Sequence, residues 1–289
     1  MITCAEDGNF VSYTLQQALC VKRADLFERL CGRRPISSDP TRFSSSTWSI
    51  LLAVGAAVSV SPAAHAQTGP TIEAGVTTDE RVRGLSWSDG RTAAHVFGSL
   101  PVTTNIAVGA EATTLRGSAR HGGAEIGVDL NASYGGRIGL ANYYAMAIGH
   151  VFPGGDGEQD YAEAQAGIGG ALGPASVTLL ASYAPPQDAI GGSNFYRRLE
   201  GRFGFWGSPL ALNAHVGRSS GSVDDPARAE RLRPGGAYND WAIGGEYNLA
   251  PLSFTLRYSD TDIRSEDIRV PAASADYGAR ITAGANIRF

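Results

Sequence analysis

The sequence predicts an all-β fold, an antiparallel up-and-down transmembrane β-barrel of about 12 strands. Three observations lead to this fold class. Apolar and polar residues alternate with a period of two along much of the chain after residue 67. Tight turns alternate with long loops. The average composition is neither polar nor apolar, with 18% charged residues, 37 glycines and a mean hydropathy of -0.11. A barrel has this average because lipid-facing and lumen-facing residues alternate.

The first part of the chain is expected to be absent from the barrel. Trp48–Val60 is an uncharged apolar run, basic residues precede it, and Ala64–Ala66 forms a small-x-small cleavage site. The run is shorter than the ~20 residues of a membrane-spanning helix, which favours cleavage over an uncleaved anchor. We therefore predict an extension over residues 1–46, a signal peptide over 47–66 that is cleaved near Ala66, and a mature barrel over 67–289. A start codon assigned too far upstream explains the extension best, and an extended signal peptide is the alternative.

The period-two pattern is clearest at the C-terminus. From Tyr277 to Phe289 every second residue is apolar or aromatic, and the residues between are polar, charged or glycine. Successive side chains of a strand point to opposite faces, so one face would meet lipid and the other water. The same alternation occurs over 124–134, 241–249 and 252–258. A soluble β-sandwich alternates in the same way, so this pattern alone does not require a membrane.

Twelve alternating segments define the predicted strands. They cover residues 71–88, 91–100, 103–115, 122–134, 137–151, 159–172, 174–185, 194–205, 208–218, 238–250, 252–264 and 276–289. Four tight turns are marked by Gly135-Gly136, Gly173, Trp206-Gly207 and Pro251. The longest connections cover about 219–237 and 265–275. Short turns on one side and long loops on the other are typical of outer-membrane barrels, whose short turns face the periplasm.

Aromatic residues fall near both predicted membrane edges. Those toward the periplasmic ends of strands are Tyr134, Phe205, Trp206, Tyr247 and Phe289, and those toward the outer ends are Tyr183, Phe195, Trp241 and Tyr277. Two belts of aromatic residues are expected at the two interfaces of a bilayer. Their positions favour the barrel over the soluble sandwich.

Charged residues on the inward parity of the strands are the candidate pore lining. They are Glu111, Glu125, Asp129, Glu163, Arg198, Arg202, Glu246, Arg257, Arg280 and Arg288. Acidic residues are concentrated on some predicted strands and arginines on others, so that oppositely charged arcs would face each other across a closed barrel. Such a field suits a water-filled pore. Arg–carboxylate pairs that fill a narrow interior are an equally valid interpretation of the same pattern.

The sequence offers little for catalysis. His215, beside Asn213 on the same predicted strand, is the nearest candidate for a catalytic residue, but a polar lumen residue explains it better. No nucleophile-elbow or paired-histidine metal motif is present, and the three cysteines all precede residue 32. We predict a protein that is not an enzyme, has no cofactor and binds no nucleic acid.

Several short motifs resemble one family, the TorF-like porins of proteobacteria, also called the Gcw family. Thr78–Ser86 (TDERVRGLS) is similar to its opening Ser-Asp-aromatic-Arg-aromatic-Arg-Gly-aliphatic-Ser pattern, although Glu80 and Val82 replace the aromatics. Phe152–Gly154, Tyr238–Trp241 with the following Gly244, and Tyr258–Asp262 resemble later motifs of that family, in the right order. The resemblance implies an outer-membrane location and a channel role, and it implies no catalytic residues.

The expected function is an outer-membrane, porin-like channel for passive diffusion of small hydrophilic solutes. The alternative is a structural or adhesive barrel with an occluded lumen and partner-binding extracellular loops. The expected partners are outer-membrane lipid, small hydrophilic solutes and the barrel-insertion machinery. The last of these would recognise the final strand, which ends in Phe289 as the insertion signals of outer-membrane proteins do.

Overall fold

A computed structural model of the chain describes residues 69–270 and 276–289. The predicted extension over residues 1–46, the signal peptide over 47–66 and its cleavage site lie outside the described residues. Among the residues described, no helix is long and apolar enough to cross a membrane.

Twelve strands form one closed antiparallel barrel, as predicted. They are β1 (Thr71–Thr77), β4 (Ala93–Pro101), β5 (Ile106–Thr114), β6 (Ile126–Ile138), β7 (Ala141–Val151), β8 (Tyr161–Leu172), β9 (Ala175–Gln187), β10 (Gly192–Gly204), β11 (Leu210–Ser220), β12 (Tyr238–Leu249), β13 (Leu252–Thr261) and β14 (Arg280–Arg288). Sequential neighbours pair, and β1 closes the ring by pairing with β14, Glu73 opposite Arg288. Two further strands, β2 (Arg81–Val82) and β3 (Leu85–Ser86), form a separate two-stranded sheet.

The outer surface of the barrel carries the apolar face of each strand. Leu212, Ile243 and Leu256 are all large hydrophobic residues with about half of their side-chain surface exposed, as are many others at the same parity. A contiguous apolar exterior of this kind is unfavourable in water and fits a lipid bilayer. Of the nine predicted belt aromatics, eight are exposed on the structure and Tyr277 is partly buried. The barrel is therefore a transmembrane one.

The two ends of the barrel differ, and we name them by their connections. The turn end has five short connections and also the beginning of β1 and the end of β14. The connections cover residues 102–105, 139–140, 173–174, 205–209 and 250–251. The loop end carries L1 (78–92), L2 (115–125), L3 (152–160), L4 (188–191), L5 (221–237) and L6 (262–279, of which 271–275 are not described). The loops contain the helix α1 (Pro226–Ala229) and the 3₁₀ turns Ala119–His121, Asp188–Ile190 and Ser265–Asp267. The predicted alternation of short and long connections is observed except at L4, which has four residues and is shorter than the turn over 205–209.

One predicted turn is displaced. Gly135-Gly136 is not a turn but lies within β6, and the chain reverses at Gly139 and Leu140 instead. Gly139 has a φ of 58°, a conformation that favours glycine. Gly136 has a different reason to be glycine, because a side chain there would collide with the ring of Tyr143 on β7. Gly136 thus makes room for a cross-strand neighbour.

The main departure from prediction lies in residues 71–88, which do not form one strand. The strand β1 ends at Thr77, and the chain then turns into the lumen as L1 before it rejoins the wall at Ala93. Had the strand continued, Glu80, Ser86 and Ser88 would have faced lipid at every second position, where charged and polar groups are costly. All three are instead buried inside the protein.

Candidate functional site in the barrel lumen

Within L1, residues Asp79–Ser88 form a compact hairpin inside the barrel, which we call the plug. Its strands β2 and β3 are joined by Arg83-Gly84, and both residues have positive φ, 55° and 77°. This combination defines a two-residue turn of the I′ type, which matches the twist of a hairpin. Ser86 Oγ donates to Asp79 Oδ1 at 2.6 Å, and the Trp87 backbone N–H donates to the Glu80 carbonyl at 2.7 Å. The plug is therefore an ordered unit of structure.

The tip of the plug lies against the inner wall at β12 and β13. A Cβ added at Gly84 would lie 2.5 Å from Thr261 Cγ2 on β13 and 3.0 Å from Asp240 Cβ on β12. Glycine is therefore required at this position both by its φ and by its neighbours. The Tyr238 hydroxyl of β12 donates to the Arg83 carbonyl at 2.9 Å and fixes the turn to the wall.

The side chain of Arg83 extends the plug across the remaining lumen. Its Nη2 donates to both carboxylate oxygens of Glu163, at 2.7 and 2.8 Å, and its guanidinium lies 4.8 Å from the centre of the Tyr196 ring. Glu163 is on β8, which lies seven strands from β1 in one direction around the barrel and five in the other. A segment that starts from β1 and bonds to β8 therefore spans the lumen.

Beyond Glu163 the contact continues along the acidic wall. His150 Nε2 lies 3.6 Å from Glu163 Oε1, and His150 Nδ1 lies 2.7 Å from Asp129 Oδ1. Arg83 is thus the first member of a row of contacting side chains that continues through Glu163 on β8 and His150 on β7 to Asp129 on β6. The predicted acidic residues Asp129 and Glu163 are brought together here, and the sequence did not indicate that His150 would lie between them.

On the side that faces β14, the plug carries a negative charge, that of Asp79. Asp79 lies 3.8 Å from Arg280 Nε on β14 and 3.3 Å from Arg81 Nη1. The plug therefore presents a carboxylate to the arginine-rich part of the wall and a guanidinium to the acidic part. Both contacts of the plug are therefore with wall charges of opposite sign.

Glu80 is the one charged group of the plug that forms no ion pair with a described residue, and Arg257 on β13 is the opposite charge that acts on it. Glu80 lies outside the membrane-spanning strands and is buried, with Asp79 beside it. Burial and the neighbouring carboxylate raise the pKa of Glu80 to about 8, so this carboxyl group carries a proton at neutral pH for much of the time.

The remaining predicted arginines of the inner wall are mostly paired with neighbouring strands or residues. Arg198 pairs with Glu200 at 2.9 Å, Arg202 with Glu246 at 3.3 Å, and Arg288 with Glu73. Arg257 takes part in none of the ion pairs found in the described part of the chain, and the charges around it are Arg198, Glu200, Glu80 of the plug and Glu246.

Two predicted acidic lining residues differ from the rest. Glu111 is on the inner wall of β5 but is buried, with Thr113 Oγ1 at 3.5 Å. Glu125 is not part of the wall: it is exposed in L2, one residue before β6, because the pairing of β5 with β6 begins only at Thr114 and Ile126. Its assignment as a lining residue is corrected accordingly.

Solvent reaches the lumen from the turn end. The side chain of Arg288 is 63% exposed and that of Arg202 39%, whereas Arg83 and Glu163 are 14% and 4% exposed. Exposure falls with depth toward the plug. The lumen is thus open to solvent at the turn end, and the plug is shielded from solvent toward the loop end.

Above the plug the loops pack into a cap. Trp87, Leu115, Phe152, Ile190 and Leu232, from five different loops, belong to one buried hydrophobic cluster. The ring of Trp87 lies 4.6 Å from that of His121, which stacks on Phe152 at 4.5 Å. The plug and the cap therefore share a hydrophobic core, and together they close the barrel.

Arg231 contacts several loops of this cap, and no sequence pattern indicated this role. Its guanidinium lies 4.6 Å from the ring centre of Phe152 and donates to the carbonyls of Gln159 and Ala189 and to His121 Nδ1. Burial and the nearby Arg231 lower the pKa of His121 well below its usual value. The imidazole is therefore neutral, as an acceptor from arginine requires.

His215, the candidate catalytic residue, has a structural partner. Its Nε2 lies 2.9 Å from Asp240 Oδ2, and the Tyr196 hydroxyl donates to the same oxygen at 3.2 Å. These groups hold β10, β11 and β12 together on the inner wall. Among the residues described, no group of three or more His, Cys, Asp or Glu side chains is arranged to hold a metal ion.

These features define a class of protein: a closed 12-stranded antiparallel barrel with an apolar exterior and a charged interior, the fold of outer-membrane porins. The chain belongs to the Gcw_chp family, described as a bacterial protein of unknown function, whose model matches residues 63–282. The predicted Gcw family membership is thereby confirmed, and the narrower TorF-like likeness stays a prediction.

Solved structures of low sequence identity share the fold. The KdgM porin is 7% identical, with a TM-score of 0.50 over 76% of this chain and 99% of that chain. The NanC porin is 10% identical, with a TM-score of 0.49 over 76% and 99%. An outer-membrane channel from Pseudomonas putida F1 is 14% identical, with a TM-score of 0.47 over 76% and 96%. No curated protein matches the chain.

Proposed function

We propose that the protein is an outer-membrane channel for the passive diffusion of small hydrophilic solutes, and that the plug closes it in the state described above. The signal peptide would direct export and be cleaved near Ala66, and the barrel would insert through its final strand, which ends at Phe289. Surrounding outer-membrane lipid would contact the apolar exterior. The proposal includes no catalytic step and no cofactor.

The proposal depends on one observation: the groups that hold the plug in the lumen are charged. The inner wall is charged and hydrated up to the plug, and the tip of the plug is held by ion pairs such as Arg83–Glu163. A barrel with a purely structural lumen has no need for a charged, water-filled vestibule. Ion pairs can also exchange their partners for water, so a plug held by them can move aside without breaking the wall.

A conductance measurement tests the proposal. The parent protein and a variant in which Glu80–Ser88 is replaced by a short Gly-Ser linker would be compared in planar bilayers. We expect brief openings in the parent and sustained openings in the variant, with the same unit conductance, because the same wall lines both pores. Heat-modifiable migration on a gel would verify that both barrels are folded.

The structural or adhesive alternative is favoured by one observation, the hydrophobic cluster that joins the loops to the plug. It predicts a parent that never conducts. Silence in both proteins would contradict the channel, since the wall itself would then be closed. A silent parent with a conducting variant would favour an occluded structural barrel.

A further inference from the structure

A cavity of about 270 Å³ opens on the outer surface of the cap. Its lining comes from L2, L3, L4, L5 and L6, and it includes Arg120, Gln159, Arg228, Arg231 and Val270. The cavity belongs to the loops, because none of the residues that line it lies on a strand of the barrel wall. It is accessible from the side of the loops.

The cavity is lined by more positive than negative charge. Three arginines, Arg120, Arg228 and Arg231, face two carboxylates, Asp156 and Glu158. Three guanidinium groups at one small cavity are unusual on a chain with a net charge of -4. Guanidinium groups bind carboxylates and phosphates well because their N–H donors match the spacing of two oxygen atoms.

Of the two buried arginines, Arg120 and Arg231, it is Arg231 that would supply charge to a ligand, and it lacks a carboxylate partner. Arg231 is 7% exposed and is held by carbonyls, His121 and aromatic rings, and none of the ion pairs in the described part of the chain includes it. Its Nε has no acceptor among the described residues. Burial lowers the pKa of Arg231 to about 10, so its charge is held at a cost that a bound anion would reduce.

The outermost arginine is poorly neutralised. Arg228 lies 4.0 Å from Glu158 and 3.6 Å from Asp225, and about half of its side chain is exposed. Contacts this long and this exposed contribute little. An incoming anion can therefore replace Glu158 as the partner of Arg228.

Arg120 connects the cavity to the plug. Its Nε donates to the Ser86 carbonyl at 3.1 Å, and its Nη1 donates to the Arg231 carbonyl at 2.7 Å. Ser86 in turn bonds to Asp79 and directly precedes Trp87. A change at the cavity would thus be transmitted to the indole of Trp87.

We propose that this cavity is a binding site for a small oxyanion, a carboxylate or phosphate group, presented at the extracellular face. Arg228 and Arg231 supply the charge, and Glu158 competes with the ligand for Arg228. The proposal does not depend on conduction through the barrel, and it would stand for a channel or for a structural barrel.

The experiment is a calorimetric titration of the detergent-solubilised protein with inorganic phosphate and, separately, with acetate, at constant ionic strength. Saturable heat is expected for at least one anion. Saturation by phosphate would identify a phosphate site, and saturation by acetate a carboxylate site. Glu158→Gln should tighten binding and Arg228→Gln should weaken it, each by about two- to fivefold as expected for partly exposed charges. Trp87 fluorescence should change along the same curve.

Arg264→Gln is the matched control, because Arg264 is exposed in L6 and does not line the cavity. It should leave the affinity unchanged. The proposal is overturned if neither anion gives saturable heat. It is equally overturned if Arg264→Gln weakens binding as much as Arg228→Gln does, which would indicate a general effect of net charge.

Discussion

The ion pair between Arg83 and Glu163 should determine how often the lumen is open. Arg83 is the only part of the plug seen to bond to β8, and it does so with both oxygens of one carboxylate. Replacement by glutamine removes this charge and shortens the side chain, while the backbone contact from Tyr238 to the carbonyl of residue 83 is retained. The perturbation therefore acts on the tip of the plug and leaves the barrel wall intact.

The size of the effect follows from burial. The two side chains are 14% and 4% exposed, so this is a buried pair, and loss of one partner of such a pair costs about 3–5 kcal/mol. His150 remains 3.6 Å from Glu163 and compensates in part, which favours the lower end of that range. Because 1.4 kcal/mol corresponds to tenfold, about 3 kcal/mol raises the ratio of open to closed time on the order of 100-fold.

The assay is single-channel recording of the parent, Arg83→Gln, Glu163→Gln and the double variant. Both single variants should lengthen the open periods, and the double variant should open less than the sum of the two effects, since the two residues act on one contact. Arg137→Gln is the control, because Arg137 is exposed near the turn end and donates to the nearby Gly139 carbonyl. The reasoning is refuted if Arg83→Gln changes the open-to-closed ratio no more than Arg137→Gln does, while deletion of the plug opens the pore.

Two further predictions follow from the ends of the barrel and from the plug. Deletion of Phe289 should lower the amount of assembled barrel in the outer membrane, because it removes an exposed aromatic and the backbone bond to the Ile72 carbonyl; parent-like levels would contradict this. The closed state should lose stability as the pH rises between about 4.5 and about 8. In the closed state the pKa of Glu80 is raised to about 8, so between these pH values Glu80 is protonated. In the open state Glu80 is solvated and has lost that proton, so a rise in pH favours the open state. Conductance should therefore increase with pH over that range, and Glu80→Gln should reduce the increase.

The barrel could be predicted from the sequence because its determinants are local. Period-two alternation such as that from Tyr277 to Phe289 encodes both the strand and the face that meets lipid. Pairing of sequential neighbours then requires only that the chain reverse at turns such as Gly139 and Gly173, both of which have positive φ. These signals lie within a few residues of the structure they specify.

The plug could not be predicted because its charged residues alternate along the sequence as those of a barrel strand do. Asp79, Arg81 and Arg83 keep the inward parity of β1, so a straight strand and an inward hairpin give the same pattern for these three residues. The difference lies in the other parity, where Glu80 would have met lipid. Its partner Glu163 is 80 residues further along the chain, and no periodic signal links the two.

The cap was missed for a related reason. Arg231 and His121 are 110 residues apart, and both lie in loops without periodicity. The sequence shows that long loops exist, but loop residues acquire a role only when the closed barrel brings their ends to one rim. Long-range packing of this kind is a consequence of the fold, and no single segment of the sequence indicates it.

The plug differs in chemistry along its length, and this difference suggests how it would move. Near its C-terminal end, Trp87 packs in the hydrophobic cluster with Phe152 and Leu232, contacts that are not replaced by water without loss. At its tip, Arg83 is held by Glu163, a contact whose net contribution is small because desolvation offsets the attraction. A displacement would therefore begin at the tip and leave the apolar end in place. The opposed charges of the wall would then draw the released tip back to the same position, so that closure is reversible and does not require the barrel to refold.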